Sequence, residues 1–215
     1  MILAIIGISG NMGSKVYEHF KDKFEIIGID KNEHKYAKTY LKLEDAEDYD
    51  LVIDFSNPSL YGELVYALLE NKYVISGTTG YTKEEINYLY SIGNDRFYWS
   101  CNFAKGIPLF LKIITQIKPN YEFFDFVEIH ASTKKDCPSG TAKMLADAIN
   151  LPYSNIQSLR LPLAPAVHEI IFTSLNEKVT LRHEILDYHA FLEGLEIKLK
   201  EMIDYDKEII WVWMF

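Results

Sequence analysis

Residues 2–20 read ILAIIGISGNMGSKVYEHF, and the order of events in this stretch decides the fold. Ile2 to Ile6 is an unbroken apolar run, Gly7, Gly10 and Gly13 follow as G-x-x-G-x-x-G, and Val16 to Phe20 then recur at helical spacing. The reading is strand, glycine turn, helix. A run that is apolar at every position, rather than at alternate ones, is a strand covered on both faces, as in a parallel sheet. Glycines at such a turn permit positive φ and let a diphosphate reach the backbone, where free N–H groups and the positive end of the helix receive its charge. Asn11 and Met12 lie within the turn and join Gly7, Gly10 and Gly13 as candidate cofactor-binding residues.

The same alternation continues outward. Apolar runs at Glu25 to Ile29, Leu51 to Phe55, Tyr73 to Ser76 and Phe97 to Cys101 are separated by helical patterns at about Pro58 to Glu70 and Lys83 to Ile92. Residues 1–103 therefore read as a doubly wound parallel sheet of the Rossmann-like kind. The polar stretch Lys31 to Asp50 shows no strong period and is assigned only a loop or a short helix. Beyond it, Pro108 and Pro119 bracket a helix with an Ile- and Leu-rich stripe. The pattern then changes to strands at Phe123 to His130, Gln157 to Leu161, His168 to Thr173 and Lys178 to Leu186, with a helix at Thr141 to Ile149. Residues 104–189 thus form a smaller α+β domain with a mixed, open sheet. Leu192, Leu195, Leu199 and Met202 mark a last helix, and the segment 190–215, with its apolar tail Ile209 to Phe215, is expected to return to the first domain.

Composition narrows the function. The 215 residues carry 22 Lys plus Arg against 31 Asp plus Glu, a net charge of −9 that would repel a phosphate backbone, so nucleic acid is not expected as a partner. No apolar run approaches the length needed to span a bilayer, and the apolar start lacks the charged flank and cleavage site of a secretory signal. Cys101 and Cys137 form no C-x-x-C pair, so a reduced, cytoplasmic protein without a metal cluster is expected.

Candidate chemistry falls at strand ends. Asp30 closes the second strand where a carboxylate holding adenosine ribose hydroxyls belongs, which favours NAD; Lys31 beside it is a cation able to attract a 2′-phosphate, which leaves NADP open. Ser56, the compact Gly77-Thr78-Thr79-Gly80 segment, Asn102 and Phe103 close the third, fourth and fifth strands, the edge at which an open parallel sheet binds ligands. The densest cluster runs from His130 to Thr141. His130 and Lys134 precede Pro138-Ser139-Gly140-Thr141, which opens a helix and so offers a hydroxyl, free amides and a dipole to a carboxylate. An imidazole near its ordinary pKa can pass a proton at neutral pH. His19, His34, His183 and His189 show no convergent partners and read as surface or packing residues. Lys135, Arg160 and His168 could add positive charge to the site, although surface and core roles are the simpler reading.

Taken in order, Gly7-x-x-Gly10-x-Met12-Gly13, Asp54-Phe55-Ser56, Gly77-Thr78-Thr79-Gly80, Asn102-Phe103, Glu128-x-His130, Lys134-x-Asp136-x-Pro138-Ser139-Gly140-Thr141 and the stretch His183 to Gly194 resemble the 4-hydroxy-tetrahydrodipicolinate reductase family. The resemblance implies NADH- or NADPH-dependent reduction of a small cyclic dicarboxylate in lysine and diaminopimelate biosynthesis, by a homotetramer. It also implies a proton-donating role for His130 with Lys134 as its cationic partner. Ser139, Gly140 and Thr141 would cradle a substrate carboxylate, and Gly77, Thr79 and Phe103 would lie near the nicotinamide. Three features depart from the family pattern: Ala131 and Ser132 replace a second His and a basic residue, Tyr188 replaces an Arg, and the loop between Arg160 and His168 lacks glycines. A dehydrogenase of another small amino or imino acid and a non-catalytic nucleotide-binding paralogue are the competing readings.

Overall fold

A computed structural model describes residues 1–46 and 48–204. The expected apolar tail Ile209 to Phe215 lies outside the described residues. The described residues divide into two compact units, 1–101 with 196–204 and 102–195.

Unit 1 is a six-stranded, wholly parallel sheet in the order β3-β2-β1-β4-β5-β6, which is the doubly wound arrangement. Its strands are β1 (Ile2–Ile6), β2 (Glu25–Ile29), β3 (Lys38–Tyr40), β4 (Leu51–Asp54), β5 (Tyr73–Ser76) and β6 (Phe97–Trp99), joined in part by α1 (Asn11–Phe20), α2 (Tyr61–Leu69) and α3 (Lys83–Gly93). Every residue of β4 is buried, as a strand covered on both faces requires. Ala4, Ile6, Val52, Leu64, Leu68 and Val74 knit the sheet to its helices in one core cluster. The side chain of Thr82 accepts from the amide of Glu85, and Glu85 returns a carboxylate to the amide of Thr82, a reciprocal cap that fixes where α3 begins.

The stretch read as a loop or short helix holds one short 3-10 helix, Leu43–Asp45, and also β3, a strand of three residues that the reading lacks. Residues 30–37 cross from β2 to β3 as a polar loop instead of a helix. His34 Nδ1 accepts from the amides of Tyr36 and Ala37, while Thr39 Oγ1 accepts from that of His34. So short a strand, fed by side-chain-bonded turns, has no periodicity to read.

Unit 2 has a four-stranded sheet in the order β10-β9-β7-β8, made of β7 (Phe123–Ala131), β8 (Ile156–Leu161), β9 (Ala166–Thr173) and β10 (Lys178–Ile185). It is mixed: β7 and β8 run parallel, and the other two pairings are antiparallel. Helices α4 (Gly106–Ile117) and α5 (Gly140–Ile149) cover one face, with Phe110, Ile114, Leu145 and Ile149 against Phe126 and Phe172. The opposite face carries Val127, Ile129, Ile171, Leu159 and Leu161, the last two each 45% exposed. Helix α6 (His189–Asp204) contains the unit boundary, and Leu192, Leu195, Leu199 and Met202 are all buried. Within unit 1, Glu196 lies 2.8 Å from Nε2 of His19 on α1 and accepts at 2.8 Å from Lys23 in the turn after that helix.

Candidate active site

In unit 1, Gly7 follows β1 with φ +79°, and its amide donates to the carbonyl of Ile29 at 2.8 Å. Gly13 packs so closely that an added Cβ would stand 2.0 Å from the carbonyl oxygen of Gly7, so only glycine lets α1 seat against the turn. Gly10 donates its amide to that same carbonyl at 2.9 Å and gives α1 no side-chain cap; the first turn, which holds Asn11 and Met12, carries no acidic residue. A helix start without a cap or an anion of its own suits a bound phosphate, and these residues fit a dinucleotide.

Asp30 stands at the end of β2, exposed enough to meet a ligand, but its carboxylate also supports the turn. One oxygen accepts from the amide of Ser9 at 3.0 Å and the other from that of Asn32 at 3.0 Å. Lys31 is exposed beside it.

The ends of β4 and β5 are organised by a carboxylate that the candidate residues left out. Asp54 is fully buried and accepts from the hydroxyls of Ser56, Ser76 at 2.6 Å and Tyr81 at 3.2 Å. Burial and the neighbouring Asp54 charge both push the Tyr81 phenol up, so it stays a donor. Thr78 is buried and committed to structure: its Oγ1 accepts the Ser56 amide at 2.8 Å and its carbonyl accepts Trp99 Nε1 at 2.7 Å. Gly77 is half-buried and Thr79 is exposed, so within this loop Thr79 is the side chain open to a ligand.

By their packing Asn102 and Phe103 group with unit 2. Asn102 donates to Thr141 Oγ1 at 3.1 Å and accepts the Ala104 amide at 2.9 Å, which ties the start of unit 2 to the first turn of α5. Phe103 is buried.

The His130 to Thr141 segment is built on alternation. Phe126, Glu128 and His130 share the inward face of β7, so a carboxylate and an imidazole are buried together beneath α5. Ser139 caps α5 by accepting the Ala142 amide at 3.2 Å, while its own amide lies 3.1 Å from both oxygens of Glu128. Glu128 also accepts from Ser158 Oγ at 2.7 Å and Arg160 Nη2 at 2.8 Å. Burial alone would raise its pKa, but these hydrogen bonds outweigh burial and bring it down to about 2. Arg160 thus has a defined role as counter-charge to Glu128, and it donates as well to the carbonyl of Asp136 at 2.6 Å.

His130 departs from the expectation of an ordinary imidazole. Burial dominates and lowers its pKa to about 4; Glu128 and Asp136 raise it, Lys134 and Arg160 lower it, so the ring is neutral at neutral pH. Its Nδ1 lies 3.4 Å from Glu128 without a hydrogen bond among the described residues. Lys134 is paired with Asp136 at 2.8 Å. Burial raises Asp136, but Lys134 and the backbone of Asp136 and Gly140 outweigh it and hold the carboxyl below its usual range. Of the expected cradle, therefore, the Ser139 amide is engaged by Glu128 and Gly140 faces Asp136.

His168 on β9 lies opposite Glu128, its ring 5.3 Å from that of His130, with Nε2 3.4 Å from Ser139 Oγ. Burial, then the His130 and His183 rings, lower it to about 3. His183, read as partnerless, extends this row: it pairs in register with His168 and packs near Phe110. His19, read the same way, has Glu196. Donor atoms of Glu128, His130 and His168 come within 4.8 Å of one another, a spacing open to a metal ion, but the cation that Glu128 already holds is Arg160. Among the described residues no helix is long and apolar enough to cross a membrane.

A parallel-sheet unit with a glycine turn for a dinucleotide, followed by an α+β unit with a buried acid-base pair at a helix start, defines a pyridine-nucleotide oxidoreductase. Comparison with known proteins narrows the class. The profile of the dihydrodipicolinate reductase N-terminus matches residues 1–103 and that of its C-terminus residues 106–210. The chain belongs to the dihydrodipicolinate reductase family. Similar proteins named 4-hydroxy-tetrahydrodipicolinate reductase include one from Rickettsia peacockii, 31% identical over 89% of each chain. Another, from Streptococcus uberis, is 27% identical over 94% of this chain and 93% of its own. Among solved structures, the dipicolinate-bound dihydrodipicolinate reductase of Paenisporosarcina sp. TG-14 aligns over 95% of both chains with TM-score 0.76 at 21% identity.

Proposed function

We propose that this protein reduces 4-hydroxy-tetrahydrodipicolinate to tetrahydrodipicolinate in lysine and diaminopimelate biosynthesis, with NADH or NADPH as reductant and release of water. The observation that carries the reading is the grouping of His130, Lys134 and the start of α5 around one anion-binding turn, in a chain of this family.

The nicotinamide supplies hydride to a conjugated imine. In unit 1, Gly7, Gly10, Asn11, Met12 and Gly13 receive the diphosphate, Asp30 and Lys31 face the adenosine ribose, and Ser56, Gly77 and Thr79 border the nicotinamide, with Thr78 holding that loop in shape. Asn102 supports Thr141, and Phe103 helps to close the first segment of unit 2. In unit 2, a substrate carboxylate takes over the positions now satisfied by Asp136, at the Lys134 ammonium and the amide of Gly140, next to that of Thr141, with the dipole of α5 behind it. Two substrate carboxylates beside His130 raise its proton affinity, because opposite charge favours the imidazolium. Loss of the 4-hydroxyl with a hydrogen of the neighbouring ring carbon, as water, leaves that conjugated imine; hydride enters at the carbon that carried the hydroxyl, and the His130 ring delivers the proton to the adjacent carbon, which restores the C=N bond of the product. Lys134 compensates the carboxylate throughout.

The sheet face of unit 2 away from α4 and α5, where exposed Leu159 and Leu161 lie on the same side as the Arg182, Glu169 and Glu184 ion pairs, supports assembly with further copies of the chain, and a homotetramer in the cytoplasm is the proposed state.

The test is oxidation of NADH and of NADPH with freshly generated substrate. Turnover that His130→Ala, Lys134→Ala does not reduce contradicts the reading. Faster turnover of another amino or imino acid favours a related dehydrogenase, and nucleotide binding without dicarboxylate binding favours a non-catalytic protein.

A further inference from the structure

Glu128 is a charged side chain with no exposure, two residues before His130 on the inward face of β7. Three groups donate to it, and a fourth, the His130 ring, lies close without a hydrogen bond among the described residues. The Ser139 amide lies 3.1 Å from each of its oxygens, the Ser158 hydroxyl 2.7 Å and Arg160 Nη2 2.8 Å from Oε1, and His130 Nδ1 3.4 Å from Oε2. A carboxylate accepts at about four lone pairs and can serve all of them; a carboxamide of the same shape turns an N–H onto at least one donor.

The groups it holds are those that make the site. Ser139 fixes where α5 begins, and so where the Gly140 and Thr141 amides point. Arg160, anchored on Glu128, reaches the carbonyl of Asp136 at 2.6 Å and so restrains the segment between Lys134 and Ser139. Resting on the reading of unit 2 as a dicarboxylate site, we propose that Glu128 is its positioning residue: it sets the spacing between Lys134, His130 and the first amides of α5 without touching substrate. Its charge also supports the protonated form of His130 during the proton transfer.

The experiment compares wild type with Glu128→Gln and with Glu128→Gln, Arg160→Gln, the second removing both charges so that no guanidinium is left buried alone. In both variants KM for the dicarboxylate and Kd for dipicolinate, measured by calorimetry, rise about tenfold or more, as expected when buried donors lose their acceptor. Kd for NADH stays at the wild-type value, and in Glu128→Gln the alkaline limb of the kcat profile moves to lower pH, because His130 gives up its proton more readily without the neighbouring charge. In the double variant the thermal midpoint recovers relative to the single variant, while KM and dipicolinate affinity do not. Recovery of all three means that Glu128 serves stability alone and overturns the inference. In wild type, hydrogen exchange at the Ser139 amide is slow before any ligand is added, whereas Gly140 and Thr141 become protected on adding dipicolinate. A freely exchanging Ser139 amide overturns the inference even if neither variant folds. Wild type that neither binds dipicolinate nor oxidises the reduced nucleotide overturns the functional reading instead.

Discussion

Both carboxylate oxygens of Glu128 lie 3.1 Å from the amide nitrogen of Ser139, so the residue that caps α5 is held from beneath by a buried anion. The cap and the clamp use different atoms. Ser139→Ala removes the hydroxyl that receives the Ala142 amide and keeps the amide on Glu128. The expected loss is about 1 kcal/mol in urea denaturation, the usual cost of an N-cap. A loss well above that would mean that the contact with His168 contributes as well.

His130→Asn retains a polar side chain but cannot carry the proton. We expect kcat to fall about 10²- to 10⁴-fold, the range for a lost general acid, with NADH affinity unchanged. Stopped-flow measurement of the hydride step, with fluorescence titration of NADH, checks both.

Acid should destabilise the protein earlier than its carboxylates alone would require. His130 and His168, near 4 and 3 when folded, are protonated more readily in the unfolded chain, at about 6.5. Their contribution is therefore intact above pH 6.5 and declines as the pH falls toward those folded values. By about pH 5 the loss is about 1–2 kcal/mol per imidazole. Glu128 adds a second decline between 4.5 and about 2, since its folded pKa is depressed. Thermal midpoints across this range check the sign, and His168→Asn should flatten the upper part of the slope.

Lys31→Glu is expected to weaken NADPH binding about tenfold or more and to leave NADH binding within about twofold, because it removes a cation and adds an anion where a 2′-phosphate would sit. Calorimetry with both nucleotides decides this. Equal loss for the two would place Lys31 on the shared diphosphate instead.

Ile129→Lys places a charge in the open face of the unit 2 sheet. Light scattering should report smaller species than wild type, with the fold retained by circular dichroism. A monomeric wild type would remove the tetramer from the functional account.

The parallel unit was legible because its longer strands are nearly continuous apolar runs and its glycines punctuate them. Glu25 to Ile29 and Tyr73 to Ser76 match β2 and β5 residue for residue. β3 was not, since three residues held by side-chain-bonded turns leave no period. At the site, the motif order pointed to His130, Lys134 and the Pro-Ser-Gly-Thr turn, but not to how they are held. Asp54 and Glu128 carry that information, and both sit at inward positions where apolar residues are the rule. A charge at the inward register of an alternating strand is a readable signal. Its partner is not, because Arg160 and Ser158 come from a neighbouring strand whose register follows from the folded sheet.

The Glu128 and Arg160 pair also constrains how this protein can diverge. Losing one member strands the other's charge in the interior, whereas exchanging both for neutral groups carries little penalty to the fold. Neither codon can drift alone, so descendants should change the two positions together or leave both untouched, and a lineage in which both are gone should have abandoned the ancestral substrate.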